Sequence, residues 1–257
     1  MRLDKYLAQA NVGTRSQVKK LIRLGRIFVN GQKMQTPEYK VQEDDEVSLD
    51  GQRILLEENE YFLLNKPAGV VSATTDREYT TVVDLITVPH SRELFPVGRL
   101  DRDTEGLLLL TTDGALAHAL LSPAKHVEKC YFVRVDGVIT KEDVAAFLEG
   151  LDIGDKKLTK PAVLANLCFL DAQGNRIDSD NEMHLAAKTE LEITITEGRY
   201  HQVKRMFAKV GKKVIYLKRI RMGNLELGSD LPTGSFRKLT GEEIARLKAS
   251  QKSGSSS

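Results

Sequence analysis

Phe95-Pro96-Val97-Gly98-Arg99-Leu100-Asp101-Arg102-Asp103-Thr104-Glu105-Gly106-Leu107-Leu108-Leu109-Leu110 places two polar clusters around glycines and ends in four leucines. Four adjacent leucines have neither the spacing of an amphipathic helix nor the alternation of a half-exposed strand. They read as a short strand or helix covered on several sides. Asp101 stands just upstream of that rigid, buried element. A carboxylate near a core is costly unless it is paired or put to use. Capping a turn, or pairing with Arg99 or Arg102, is one way to satisfy it; a chemical role is the other.

The chain around this stretch has 257 residues, 41% of them hydrophobic, enough to bury a core in one large or two modest domains. Its net charge of +2 hides an asymmetry. Residues 1–42 carry nine basic and two acidic side chains, +7, so the remainder sums to −5. A small basic head on a mildly acidic body points to a polyanionic partner. The two cysteines, Cys130 and Cys168, have neither metal-ligand spacing nor the makings of a disulfide framework, which fits a reducing compartment. There is no signal-like apolar region at the start, and no stretch nears the roughly 18 apolar residues of a membrane span. A soluble, cytoplasmic, metal-free protein is expected.

In the head, Leu3, Tyr6 and Leu7 form one apolar stripe and predict a short first helix. Thr14-Arg15-Ser16-Gln17 is a capping box that opens a second helix, from Arg15 to Leu24, closed by Gly25. Val18, Leu21 and Ile22 share its inner face. Arg15, Lys19, Arg23 and Arg26 recur on another side with no acid between them, whereas surface helices ordinarily mix signs. Ile27-Phe28-Val29 followed by Asn30-Gly31 predicts a hairpin with a type I′ turn. Arg2-Leu3-Asp4-Lys5-Tyr6-Leu7-Ala8, Ser16-Gln17, Leu21-Ile22 and Gly25 to Gly31, in that order, resemble the S4 RNA-binding domain. The resemblance implies binding to structured RNA through shape and phosphates, with Arg2, Arg15, Lys19, Lys20, Arg23 and Arg26 as the RNA-binding cations. Acidic clusters at 43–46 and 57–60 flank a second hairpin at Asp50-Gly51. The expected division is an S4 domain over 1–46, an acidic hinge over 47–59, a catalytic body over 60–249 and a flexible tail over 250–257.

In the body, Tyr61-Phe62-Leu63-Leu64 reads as a strand running into the stiff turn Asn65-Lys66-Pro67-Ala68-Gly69. Short helices are predicted over 81–86, 115–121 and 141–148, strands over 129–135 and 189–196, a polar surface loop over 171–181, and a last helix over 239–247. Phe132 is expected to point away from Tyr131 and fill core. Residues 199–221 hold nine cations and no acid. Within them Val203, Met206, Phe207 and Val210 define an amphipathic helix closed by Gly211.

Gly98-Arg99-Leu100-Asp101 with Thr104-Glu105-Gly106-Leu107-Leu108-Leu109-Leu110-Thr111-Thr112-Asp113-Gly114 resembles the catalytic motif of pseudouridine synthases, in the branch that modifies single uridines of ribosomal RNA. Lys66-Pro67 is similar to the family's first motif, Lys129-Cys130-Tyr131 to its second, and Glu197 to Phe207 to its third. The resemblance implies that Asp101 is the essential carboxylate and that Tyr131 stacks on a flipped uracil, a contact worth about 1–3 kcal/mol. It implies that Lys204 pairs with Asp101. Many relatives have Arg there, and Lys offers a point charge in place of a bidentate fork. Leu217 is implied to pack under the base. Lys66 supports the site and is kept with the substrate-binding residues, Arg99 would fill the vacated stack, and Arg199 and Arg205 would meet phosphates. Flipping the base costs a few kcal/mol.

Leu158-Thr159-Lys160-Pro161-Ala162 and Tyr200-His201-Gln202 are similar to the small-subunit branch, whose site is uridine 516 of 16S RNA. The implied fold is α+β: an S4 domain, then a mixed, mostly antiparallel sheet with flanking helices and a central cleft. The implied partner is small-subunit rRNA or its assembly intermediate, bound by a monomer with neither membrane nor cofactor. Two alternatives stay open: a synthase acting on large-subunit rRNA, and a non-catalytic S4 assembly factor. Whether Asp101 attacks C1′, attacks C6 or starts an elimination also stays open.

Overall fold

The computed structural model describes all residues except 11, 43, 56–58, 90, 178–179 and 253–257. The chain divides into two units, Met1–Asn59 and Glu60–Ser257.

The first unit opens with helices α1 (Leu3–Gln9) and α2 (Arg15–Arg23). The capping box is formed: the Gln17 N–H donates to Thr14 Oγ1 at 3.4 Å and the Thr14 N–H to Gln17 Oε1 at 2.8 Å. Strands β1 (Ile27–Val29), β2 (Gln32–Met34), β3 (Val47–Leu49) and β4 (Gln52–Ile54) make an antiparallel sheet in the order β2-β1-β3-β4. Both hairpin turns, Asn30-Gly31 and Asp50-Gly51, have positive φ at their two central residues, as type I′ requires. Leu3, Leu7, Val18, Ile22, Ile27, Val29, Val41 and Val47 form the core. This corrects the expected hinge. Residues 47–54 supply half of the head's sheet, and Val47 is fully buried. Part of the acidic stretch, at 43 and 56–58, lies outside the described residues.

The second unit is built on β5 (Tyr61–Lys66), β6 (Phe95–Pro96), β7 (Glu105–Thr111), β8 (Lys129–Asp136), β9 (Val163–Leu170), β10 (Arg176–Ile177), β11 (Lys188–Ile195), β12 (Lys213–Met222), β13 (Leu225–Glu226) and β14 (Phe236–Lys238). Their order is β10-β9-β11-β8-β12-β7-β5-β14, with β6 beside β7 and β13 beside β12. Among the described pairings, β7 and β12 run parallel and the others antiparallel. Helices α3 (Gly114–Leu121), α4 (Lys141–Glu149), α5 (Gln202–Lys209) and α6 (Gly241–Lys252) flank the sheet.

The four leucines are one strand covered on both faces. Leu108 and Leu110 join Phe62 and Leu64 in one core, and Leu107 and Leu109 join Tyr61 and Leu63 in another. Period-two alternation thus sorts one apolar run into two cores. Gly106, at the start of β7, has φ +103°, and a Cβ there would lie 2.2 Å from the Arg219 carbonyl oxygen. Only glycine lets the two parallel strands approach so closely.

Several expectations shift. Residues 82–85 are a turn, not a helix. The loop at 171–181 contains β10, paired with the end of β9; its residues 178–179 lie outside the described set. Phe132 does face away from Tyr131, but it meets Tyr216 edge-on at a half-buried surface and fills no core. Helix α6 runs to Lys252, so 250–252 of the expected tail are helical and 253–257 lie outside the described residues. Among the described residues no helix is long and apolar enough to cross a membrane.

Candidate active site

Between β6 and β7 the chain turns through Val97–Thr104 and presents Asp101 to a cleft of about 610 Å³. Asp101, Tyr131, Lys204, Leu217, Arg99 and Arg199 all line it. The sequence placed these residues far apart; the second unit brings them together.

Asp101 is held from one side by α5. Val203, Met206 and Phe207 bury the inner face of that helix, which turns Lys204 outward to the cleft. Lys204 Nζ lies 3.1 Å from Asp101 Oδ2, and His201 Nε2 lies 3.5 Å from Oδ1. His201, just before the helix, has φ +48° and stacks on exposed Tyr200 with ring centroids 3.8 Å apart. Lys204 also donates to Asp103 Oδ1 at 2.6 Å. Burial opposes its charge, but the hydrogen bonds to Asp103 and Asp101 outweigh burial and raise its pKa.

The loop beneath Asp101 is clamped. Lys66 is fully buried, and its ammonium donates to the carbonyls of Pro67 (2.9 Å), Arg102 (3.2 Å) and Thr104 (2.8 Å). Burial lowers its pKa to about 8. Lys66 therefore does not reach the cleft, and its place among the substrate-binding residues is corrected: it carries the loop bearing Asp101 from below. Ser72 secures the other side, donating to Leu100 O at 2.9 Å and accepting from the Leu100 N–H at 3.0 Å. Nothing in the spacing of Ser72 marks it.

One wall of the cleft is the sheet itself. Tyr131 on β8 is 8% exposed and Leu217 on β12 is 7% exposed. Arg219 pairs directly across the strands with Tyr131. It is 2% exposed, its Nε donates to Leu107 O at 2.8 Å, and its buried Nη2 has no hydrogen-bond partner among the described residues. Lys129, two residues before Tyr131, donates to Val127 O at 2.9 Å. Burial, reinforced by the charge of Arg219, lowers its pKa to about 8. Lys129 entered the sequence reading only as the first member of the Lys129-Cys130-Tyr131 motif and Arg219 only as one of nine cations; neither was given a role. Strand alternation was the available signal, since each lies two positions from a site residue.

The remaining expected cations divide into two groups. Arg199 is tied to Glu197, Asp155 and the carbonyls of Lys157 and Leu158, and Arg205 to Asp155 and the carbonyls of Tyr200 and Ile153. They brace the loop at 153–158 against α5. In the head, Arg2 pairs with Asp4 and Glu38, Arg26 with Asp50, and Lys19 lies 3.9 Å from Asp4. Arg15, Lys20 and Arg23 are exposed and make no ion pair among the described residues. Among the described residues no group of three or more His, Cys, Asp or Glu is placed to hold a metal ion.

An ammonium-paired carboxylate faces a cleft walled by a phenol ring and a leucine. Such a site can grip a flat ring and deliver a carboxylate to its edge or to an attached sugar.

Comparison with known proteins gives two family matches: RNA pseudouridylate synthase over residues 60–209 and S4 domain over residues 1–47. An uncharacterized RNA pseudouridine synthase of Bacillus subtilis, YtzG, is 44% identical over 98% of this chain and 100% of its own length. Ribosomal small subunit pseudouridine synthase A of Escherichia coli K12 is 38% identical, over 96% of this chain and 100% of its own. A crystal structure described as a pseudouridylate synthase superposes with a TM-score of 0.64 at 38% identity, covering 96% of this chain and 99% of that one.

Proposed function

The chain belongs to the RNA pseudouridylate synthase family, and on that premise we propose that it converts one uridine of small-subunit ribosomal RNA, uridine 516 of the 16S RNA, to pseudouridine. The bond between uracil N1 and ribose C1′ breaks, the base turns, C5 bonds to C1′, and the C5 proton passes to solvent while N1 takes one up. Nothing is oxidised or reduced overall. Asp101 acts as the ionised carboxylate on the sugar or the base. Lys204 pairs with it and orients it. Tyr131 and Leu217 hold the extruded ring and exclude water.

The observation that carries this reading is the convergence of Asp101 and Lys204, 3.1 Å apart, on a cleft walled by Tyr131 and Leu217. The small-subunit target is supported by the names of the Escherichia coli relative and of one from Haemophilus influenzae, 40% identical over 96% of this chain. The head contributes RNA affinity through Arg15, Lys20 and Arg23, which are exposed.

The test is release of tritium from RNA labelled at uridine C5, offered as precursor small-subunit rRNA, as partly assembled particles and as mature subunits. Release from at least one of these is expected, at a single uridine. Silence with all three rules the reading out, and release from large-subunit rRNA alone moves the target.

A further inference from the structure

We propose that Arg219 and Lys129 form a cationic floor of the cleft that takes up the negative charge uracil acquires when its N1–C1′ bond breaks; the inference rests on the uridine-isomerising reading above. The electron pair of that bond stays on N1 and spreads onto O2 and O4 until C5 bonds to C1′, which leaves the ring neutral; the C5 proton then departs as N1 takes one up. Attack at C1′ and elimination both pass through this ring anion, and attack at C6 likewise sends charge to a ring oxygen. A charge-accepting site is therefore useful whichever path Asp101 follows.

The placement comes from strand register. Arg219 and Tyr131 are direct neighbours across β12 and β8. Leu217 lies two residues before Arg219 and Lys129 two before Tyr131, so all four share the face that lines the cleft. If Tyr131 and Leu217 grip the ring, the donors beside them meet its edge. Arg219 is 2% exposed, and its Nη2 is buried without a partner among the described residues. A charged donor held dry and unbonded is costly, and the cost is recovered only by an acceptor that enters the cleft. Lys129 adds a second positive charge, depressed by burial and by Arg219. One buried and one half-buried cation gain little from a neutral uridine and much from an anion. That difference favours the transition state over the bound substrate.

A backbone phosphate is the competing anion. It carries its charge before, during and after the reaction, so losing its contact weakens binding. Loss of an anion hole slows chemistry instead. The experiment uses the full chain with C5-tritiated rRNA under single-turnover conditions, comparing wild type with Arg219→Gln, Arg219→Lys and Lys129→Gln. Folding is checked by circular dichroism and RNA affinity by filter binding. The expected result is a rate about 100-fold lower for Arg219→Gln, partly restored in Arg219→Lys, with RNA affinity within twofold of wild type. Replacing the target by 5-fluorouridine, whose ring anion is more stable, narrows that deficit several-fold when substrate consumption is followed chromatographically.

If Arg219→Gln does not fold, Lys129→Gln must lose rate without affinity. A rate within threefold of wild type in the folded variants, a parallel loss of affinity, or an unchanged deficit with 5-fluorouridine overturns the inference while tritium release by wild type stands. A silent wild type overturns both.

Discussion

Lys204 lies 3.1 Å from the Asp101 carboxylate and 2.6 Å from that of Asp103, so one ammonium serves two acids. The two acids differ in setting: the Asp101 side chain is 26% exposed and that of Asp103 73%. Exposed ion pairs contribute little, on the order of 0–1 kcal/mol, because water and salt screen them. The partly sheltered contact with Asp101 is the one the proposed reaction would use.

Asp101→Asn keeps the shape of the side chain and removes its charge. Turnover is expected to fall by about 1,000-fold or more, the scale of a lost acid–base or nucleophilic group. RNA affinity should stay within twofold, since no phosphate contact is assigned to this residue. Single-turnover tritium release beside filter binding checks both. Retention of more than a few per cent of the rate removes Asp101 from the mechanism.

Lys204→Met strips the ammonium from Asp101, and a rate loss of roughly 10- to 100-fold is expected. Lys204→Arg recovers part of it. Asp103→Asn, by contrast, costs less than about fivefold, because the exposed partner can be replaced by water. Equal losses in Lys204→Met and Asp103→Asn would mean that Asp103 takes part as directly as Asp101.

How far the sequence showed this arrangement depends on the residue. The leucine run was legible as buried, but only the structure shows that its alternate members enter different cores. Asp101, Tyr131 and Lys204 were recognisable because each sits inside a motif, Leu217 because it matches an apolar residue of the family, and the fold puts all four around one cleft. The hairpin at Asp50-Gly51 was legible, but its strands at 47–54 were assigned to a hinge because acidic flanks outweighed a short apolar alternation that needs β1 to complete it. Lys66 was legible as support for the site but not as a group turned away from the cleft, for a physical reason. Sequence marks a cation, not the direction of its ammonium, which here turns inward to three carbonyls. Arg219 was one of nine cations in a stretch without acids, and its burial shows only in the folded sheet, where β12 lies between β7 and β8.

The head's cations allow a quantitative statement. Arg15, Lys20 and Arg23 are exposed and make no ion pair among the described residues, whereas Arg2 and Arg26 already face carboxylates. Each phosphate contact adds about 0.7–0.9 to the slope of log affinity against log salt. Lys20→Gln with Arg23→Gln should therefore reduce that slope by about 1.5, while Arg2→Gln changes it by less than either single member of the pair. Tritium release at saturating RNA should be unaffected in both. An unchanged salt slope in the double variant places the RNA on another face of the head.

Lys66 links stability to pH and to catalysis at once. Burial lowers its pKa from 10.5 to about 8, so between those values the folded chain binds fewer protons than the unfolded one. Unfolding then takes up protons, and stability rises as pH increases through that window. From pH 8 to 10 the gain from one such group is up to about 2 kcal/mol. Lys129, also lowered to about 8, acts in the same direction, and Cys130, raised above its usual value mainly by burial, opposes from about pH 9 upward. The test is therefore a difference. In urea unfolding at pH 8 and pH 10, Lys66→Met should gain distinctly less stability than wild type, since every other group is common to both. The same variant leaves the carbonyls of Pro67, Arg102 and Thr104 without their donor, so the loop carrying Asp101 loosens and kcat falls while RNA affinity holds. Equal gains with pH in the two proteins would show that the Lys66 ammonium is not the buried charge, and an unchanged kcat would show that the loop keeps its place without it.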